Sequence, residues 1–101
     1  MGPGKANLLE AIRASGSISA AARELKMSYK RAWNLVDTMN RCFREPLVDT
    51  ATGGGGGGGA RLTPFGKIVL AHFRSMEKRT DAAIRSELTD FVTLLADNPR
   101  V

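Results

Sequence analysis

Seven consecutive glycines, Gly53–Gly59, constrain this chain more than any other feature of its sequence. Ordering a glycine in regular structure costs roughly 0.5–1 kcal/mol more than ordering an alanine, so such a run does not form the interior of a helix or strand. Short β-like runs flank it, Leu47–Thr50 before and Ala60–Thr63 after. Two interpretations fit: a flexible linker between two domains, or the tip of a β-hairpin whose bare backbone can approach a partner closely. We favour the hairpin because neither flank could fold as a separate domain.

The composition indicates one small domain with a basic surface. The chain has 101 residues, 43% of them apolar, which is enough for a single hydrophobic core. Lys and Arg number 15 against 10 Asp and Glu, a formal net charge of +5 at pH 7. Such a balance favours polyanionic partners, either nucleic acid or an anionic membrane.

Cysteine usage and hydropathy indicate the compartment. The single cysteine, Cys42, excludes an internal disulfide framework and suits a reducing cytoplasm. No apolar run approaches the ~20 residues that a membrane span needs, and no secretion leader is visible. We therefore expect a cytoplasmic protein without a membrane partner.

The spacing of apolar residues predicts three helices before the glycine run. These are residues 5–15, which stop at Gly16; residues 20–25, which Ser17 or Ser19 caps; and residues 29 to about 42, which Ser28 caps. The turn before the third helix contains no glycine. Any left-handed position in that turn therefore falls on Lys26 or a neighbour.

A long helical pattern follows the glycine run. Thr63 is suited to cap it and Pro64 to occupy its first position, where no N–H is needed. An apolar stripe then continues from Phe65 to Leu95, and it predicts either one long helix or two with a fresh start at Thr80. A small domain cannot cover such a stripe by itself.

The order helix, helix, helix, hairpin, helix predicts a mainly α fold with a small β-hairpin, which is a winged helix-turn-helix. Residues 5–66 form this predicted DNA-binding domain, with the wing at 47–63. Residues 64–97 form a predicted C-terminal helical dimerisation segment.

The third helix has two distinct faces. At 100° per residue, one sector must face the core: Ala32, Leu35, Val36, Met39 and Phe43. The opposite sector is polar: Lys30, Asn34, Asp37 and Arg41, flanked by Arg31 and Trp33. Asp37 is unfavourable beside phosphate and is expected to orient Arg41, while Trp33 is expected to pack at the boundary between this helix and the wing.

The polar face is suited to the major groove of DNA. Lys30 and Arg31 can reach phosphates or guanine, and Asn34 can pair with adenine or a phosphate. The remaining predicted contacts are to phosphates or the minor groove: Ser17, Ser19, Ser28, Tyr29, Gly54, Gly56 and Arg61. The alternative is a charged face that is merely solvated.

No residues combine into a catalytic or metal site. The glycine run is not a P-loop, because Ala60-Arg61-Leu62 stands where Gly-Lys-Ser/Thr should follow. His72 is expected to be a partly buried structural histidine, and Cys42 is expected to pack in the core. No spacing suits metal ligands. We predict a protein that is not an enzyme and binds neither a metal nor a cofactor.

Several motifs resemble the N-terminal DNA-binding domain of the ModE family of molybdate-responsive transcription regulators. They are Gly-Ser-Ile-Ser-x-x-Ala (16–22), Ser-Tyr-Lys-x-Ala-Trp (28–33), Met-Asn (39–40), Leu-Val (47–48), Ala-Thr-Gly-Gly (51–54), Gly-Gly-Gly-Gly-Ala-x-Leu-Thr (56–63) and Gly66. The Ser-Ala-Ala-Ala-Arg-x-Leu run (19–25) and Leu-Thr-x-x-Gly (62–66) are also similar to the winged helix of LysR-type regulators.

This resemblance implies a homodimer that binds a palindromic operator in double-stranded DNA, with terminal helices forming the dimer interface. In the ModE family, molybdate is held by C-terminal domains, and this sequence ends at Val101. We therefore do not expect molybdate to bind this chain. The prediction is a sequence-specific DNA-binding transcription regulator; the alternatives are a protein-interaction module or a sequence-indifferent architectural DNA binder.

Overall fold

A computed structural model of the protein describes residues 1–51 and 59–95. The predicted candidates Gly54 and Gly56 lie outside the described residues. The elements, in chain order, are α1 Pro3–Ser15, α2 Ile18–Glu24, α3 Tyr29–Cys42, β1 Val48–Thr50, β2 Ala60–Leu62 and α4 Pro64–Val92. The predicted winged helix-turn-helix is confirmed, and the C-terminal pattern forms one helix.

The turns around α2 use the residues that the sequence indicates. α1 ends at Gly16, whose φ of 75° is left-handed. Ser17 caps α2 by accepting a hydrogen bond from the backbone N–H of Ala20 at 2.9 Å, and Ser28 caps α3 by accepting one from Arg31 at 3.1 Å. Lys26 has a φ of 57°, so the predicted left-handed residue of the α2–α3 turn is confirmed.

The core lies where α1, α2 and α3 meet the base of the hairpin. Its largest fully buried side chains are Leu8, Leu9, Ile12, Val36, Met39, Leu47 and Leu70. On α3, the predicted core residues Leu35 and Phe43 are only half-buried and pack against the edge of this cluster. Cys42 is exposed, so its predicted core position is wrong. It is the final residue of α3, where even the neighbouring Phe43 is incompletely covered.

The hairpin is held to the helices at its base. β1 and β2 are antiparallel, with Asp49 opposite Arg61. On one side, Asn40 of α3 accepts hydrogen bonds from the backbone N–H groups of Leu47 and Val48 at 2.8 and 3.1 Å, and its amide donates to the Val48 carbonyl at 3.1 Å. On the other side, the N–H of Ala60 donates to the carbonyl of Gly16 at 2.8 Å.

The root of α4 lies against this hairpin, and the rest of the helix leaves the domain. Thr63 caps α4 by accepting a hydrogen bond from the Gly66 N–H at 2.8 Å. Thr80 starts no new helix; its hydroxyl donates within α4 to the Met76 carbonyl. His72 is exposed, so its predicted partial burial is wrong. It lies where α4 begins to leave the domain, and from residue 78 to residue 95 every residue is exposed.

Candidate nucleic-acid interface

The first two turns of α3 present a polar surface to solvent. Five of the predicted contact residues are exposed there: Ser28, Tyr29, Lys30, Arg31 and Asn34. Ser28, Lys30, Arg31 and Asn34 line one open depression of about 430 Å³ together with Leu35 and Thr38. We call this surface the α3 depression. The helical spacing therefore brings the main predicted base-reading residues together.

The electrostatics of α3 differ between its two ends. Among the described residues, neither Lys30 nor Arg31 forms an ion pair within the chain. The predicted pairing of Asp37 with Arg41 is confirmed, with 3.1 Å between a carboxylate oxygen and a guanidinium nitrogen. Positive charge is therefore available at the helix N-terminus, where the helix dipole also attracts anions, and is largely balanced near the C-terminus.

A second depression of about 230 Å³ lies between α2, α3 and the base of the wing, and we call it the wing depression. It is lined by Ser17, Ile18, Ser19, Tyr29, Trp33, Thr50, Ala51, Gly59 and Ala60. The predicted position of Trp33 at the helix–wing boundary is confirmed, although 40% of the residue is exposed. Ser17 and Ser28 act as caps through their oxygen, and each hydroxyl keeps a proton to donate.

Arg61 lines neither of these surfaces. It contributes to a separate depression with Gly16 and Asp49, and Asp49 is its direct cross-strand neighbour. Opposite charges at such positions attract each other. The structure therefore groups Arg61 with the wing and not with the α3 depression.

Two residues of this region were not predicted from the sequence. Thr38 lines the α3 depression one helical turn beyond Asn34, and that four-residue spacing is the signal that could have found it. Asn40 fixes the wing base through three hydrogen bonds, but its partners are seven and eight residues away in sequence. Helical periodicity gives no signal for such a contact.

Residues 5–67 match the family described as bacterial regulatory helix-turn-helix protein, lysR family. The chain belongs to this family. The match covers nearly all of α1, then α2, α3, the hairpin and the root of α4. The winged helix is also similar to curated regulators of the ModE type.

Curated relatives match about three quarters of the chain. The molybdenum-pterin-binding protein MopA of Rhodobacter capsulatus is 47% identical over 77 residues, which are 76% of this chain and 29% of MopA. The molybdenum transport protein ModE of Azotobacter vinelandii is 44% identical over 77 residues, 76% of this chain and 28% of the relative. The transcriptional regulator ModE of Haemophilus influenzae is 37% identical over 81 residues, 80% of this chain and 32% of the relative. The chain thus spans about a third or less of these relatives.

Solved structures share the fold. A complex of the CbnR DNA-binding domain with DNA has a TM-score of 0.69 at 20% identity, covering 89% of this chain and 99% of that one. Full-length LysG from Corynebacterium glutamicum has a TM-score of 0.65 at 20% identity, covering 94% of this chain and 31% of that one. These similarities agree with a lysR-type winged helix.

Other kinds of site find little support in the described ranges. Within residues 1–51 and 59–95, no group of His, Cys, Asp and Glu is arranged to hold a metal ion. In the same ranges, none of the helices combines the length and apolar character that a bilayer crossing requires.

Proposed function

We propose that the chain regulates transcription in the cytoplasm by occupying an operator in double-stranded DNA as a homodimer, through binding and not catalysis. The observation that carries this proposal is the α3 depression. It combines an amide with two cations at the exposed start of a helix, and no carboxylate of the described chain pairs with either cation. Membership of the lysR family of regulatory proteins supports the same function.

In this proposal, the N-terminal half of α3 enters the major groove, which is wide enough for one helix. Lys30 and Arg31 contact guanine or phosphate, and Asn34 contacts adenine. The hydroxyls of Ser28 and Tyr29 donate to phosphates. The ion pair between Asp37 and Arg41 reduces the repulsion that an isolated carboxylate would experience beside the DNA backbone.

The wing depression adds contacts beside the groove. Ser17 and Ser19 face it from α2, and Arg61 supplies a cation on the second strand of the hairpin. We propose that Gly54 and Gly56, which lie outside the described residues, approach the phosphates with their backbone N–H groups. A glycine permits this approach because it has no Cβ.

We further propose that α4 pairs with α4 of a second copy. The exposed apolar residues on this helix and directly after it include Ile68, Met76, Ile84, Leu88, Phe91 and Leu95, all at least 41% exposed. At the root of α4 they continue into an open apolar groove of about 760 Å³, lined in part by Phe43, Phe65 and Phe73. A contiguous apolar surface of this kind marks an interaction site.

Several apolar residues of the stripe are placed symmetrically about Thr80, which favours an antiparallel pair. Apolar residues recur at equal separations on both sides: Met76 and Ile84 at four residues, Val69 and Phe91 at eleven, Phe65 and Leu95 at fifteen. Two antiparallel α4 helices centred on Thr80 align the first two of these pairs, and Leu95 of the third pair lies three residues beyond the end of α4. A two-fold dimer implies a palindromic operator.

A gel-shift assay with Lys30→Ala/Arg31→Ala tests the DNA proposal. The change removes two phosphate or base contacts per copy, so we expect affinity to fall at least ~10-fold and the salt dependence to become shallower. The matched control, Lys78→Ala/Arg85→Ala, removes the same charge from a side of α4 that faces away from the stripe, and it should bind like the parent.

Three results would contradict the proposal. If both variants bound DNA equally well, Lys30 and Arg31 would belong to a solvated surface that does not contact DNA. No shift by the parent protein would favour a protein-interaction module. Equal competition by random-sequence DNA would favour an architectural binder.

A further inference from the structure

The attachment of α4 to the winged helix is short compared with the helix itself. Only Gly66 and Leu70 of α4 are buried, and both belong to its first two turns. A Cβ on Gly66 would clash with the carbonyl oxygen of Leu47, so the helix root lies directly on the wing base. Beyond this root, the hydrogen bonds that tie α4 to the domain within residues 1–51 and 59–95 come from a single side chain.

That side chain is Arg74. Its guanidinium donates to the side-chain oxygen of Asn7 at 3.0 Å and to a Glu10 carboxylate oxygen at 3.4 Å, both on α1. It also donates to Glu77 on α4 itself at 2.9 Å. The hydrogen bond to Glu77, with Glu10 adding to it against the effect of desolvation, raises the pKa of Arg74, which stays charged.

Stability alone does not account for this cluster. The side chains of Arg74, Glu10 and Glu77 are each about one-third exposed, and solvated ion pairs contribute little to the free energy of folding. The cluster has a larger effect on the direction of α4 than on the free energy of folding. From Arg74 to Val92 the helix extends ~27 Å at ~1.5 Å per residue, so a tilt of ~10° at Arg74 moves the far end by ~5 Å. That exceeds the ~3.4 Å rise of one base pair.

We propose that Arg74 is a positioning residue that fixes the angle between the winged helix and α4, and thereby the half-site spacing that the dimer accepts. This inference rests on the proposed function, because it requires two copies on one DNA. The α1 partners Asn7 and Glu10 hold the guanidinium on the domain side. Phe65, Val69 and Phe73 pack the start of α4 against the core, and the Arg74 contacts then fix the angle of the helix and with it the separation of the two α3 helices.

The experiment measures binding to duplexes that carry two half-sites at different spacings. The half-site is first obtained by selection of the parent protein on random DNA, and spacers are then varied by one base pair at a time. We expect the parent to prefer one spacer at least ~10-fold over its neighbours, and Arg74→Ala to reduce this preference to within ~3-fold. Glu10→Gln, which weakens the α1 side alone, should have the same direction of effect, and Arg74→Lys should restore part of the preference.

Glu77→Gln is the matched control, because Glu77 lies on α4 and its loss leaves the contacts to α1 in place. It should keep the spacing preference of the parent. The inference is overturned if both Arg74→Ala and Glu10→Gln retain the parent's spacing profile, if affinity falls equally at every spacing, or if the parent itself has no preferred spacing. If the parent protein binds no DNA, both the proposed function and this inference are wrong. If the parent has a definite spacing preference and all variants share it, only this inference is wrong.

Discussion

Single side chains set the position of the wing relative to α3. Asn40 is the clearest case, since one amide satisfies two backbone N–H groups and one carbonyl at the start of β1. Buried or half-buried backbone groups that lose such partners are expensive, at roughly 1–3 kcal/mol for each unsatisfied group. The Asn40 side chain therefore supplies hydrogen bonds to the backbone that a neighbouring strand would supply in a wider sheet.

We expect Asn40→Ala to lower the free energy of unfolding by about 2–4 kcal/mol, because two N–H groups and one carbonyl lose their partner together. Urea denaturation measures this. The matched control is Asn34→Ala, the same change on the exposed face of the same helix, which should alter stability by less than about 0.5 kcal/mol while weakening DNA binding. Similar stability losses in both variants would contradict the role given to Asn40.

At the scale of elements, the turn between α2 and α3 carries backbone strain. Lys26 is the one non-glycine residue of the described chain with positive φ, at 57°. A left-handed conformation costs a residue with a Cβ roughly 1–2 kcal/mol. The turn sets the direction in which α3 follows α2, so the strain is located in the connection that orients α3.

We expect Lys26→Gly to raise the free energy of unfolding by about 0.5–1 kcal/mol, since relief of strain outweighs the added freedom of the unfolded chain. Gly16→Ala is a control for which we expect the opposite change in stability. Gly16 also has a positive φ, 75°, and a Cβ there meets no atom within 4 Å. That change should be destabilising through strain alone. A destabilising Lys26→Gly in thermal denaturation would show that strain does not govern this turn.

The elements themselves could be predicted from the sequence because their signals are local. Ser17 and Ser28 lie immediately before the helices that they cap. The absence of glycine in the α2–α3 turn limited a left-handed position to Lys26 or a neighbour, and Lys26 is the residue that adopts it. The contacts of Asn40 and Arg74 could not be predicted, since Arg74 reaches partners 64 and 67 residues away. The burial predicted for Cys42 and His72 was wrong. The angular position of a residue identifies a face of the helix, but it does not show whether anything packs against that face.

At the scale of the whole molecule, one copy leaves much of its apolar surface in water. The chain extends 62 Å along its longest axis, with residues 78–95 exposed. The apolar stripe on α4 and the groove around Phe65 therefore support the two-copy assembly that we propose. The apolar residues placed symmetrically about Thr80 favour an antiparallel arrangement of the two helices.

Paired substitutions at positions 76 and 84 test both the dimer and its polarity. In an antiparallel pair centred on Thr80, Met76 of one copy lies opposite position 84 of the other. Met76→Glu/Ile84→Glu therefore sets like charges opposite each other, and we expect a monomer in sedimentation analysis with DNA affinity reduced about 100-fold through lost avidity. Met76→Glu/Ile84→Lys sets opposite charges together and should dimerise at least about 10-fold more tightly than the first variant.

A parallel pair would instead align each position with itself, so that both variants suffer repulsion. Equal dissociation of the two variants would exclude the antiparallel register, and a stable dimer of the first would exclude the stripe as the interface.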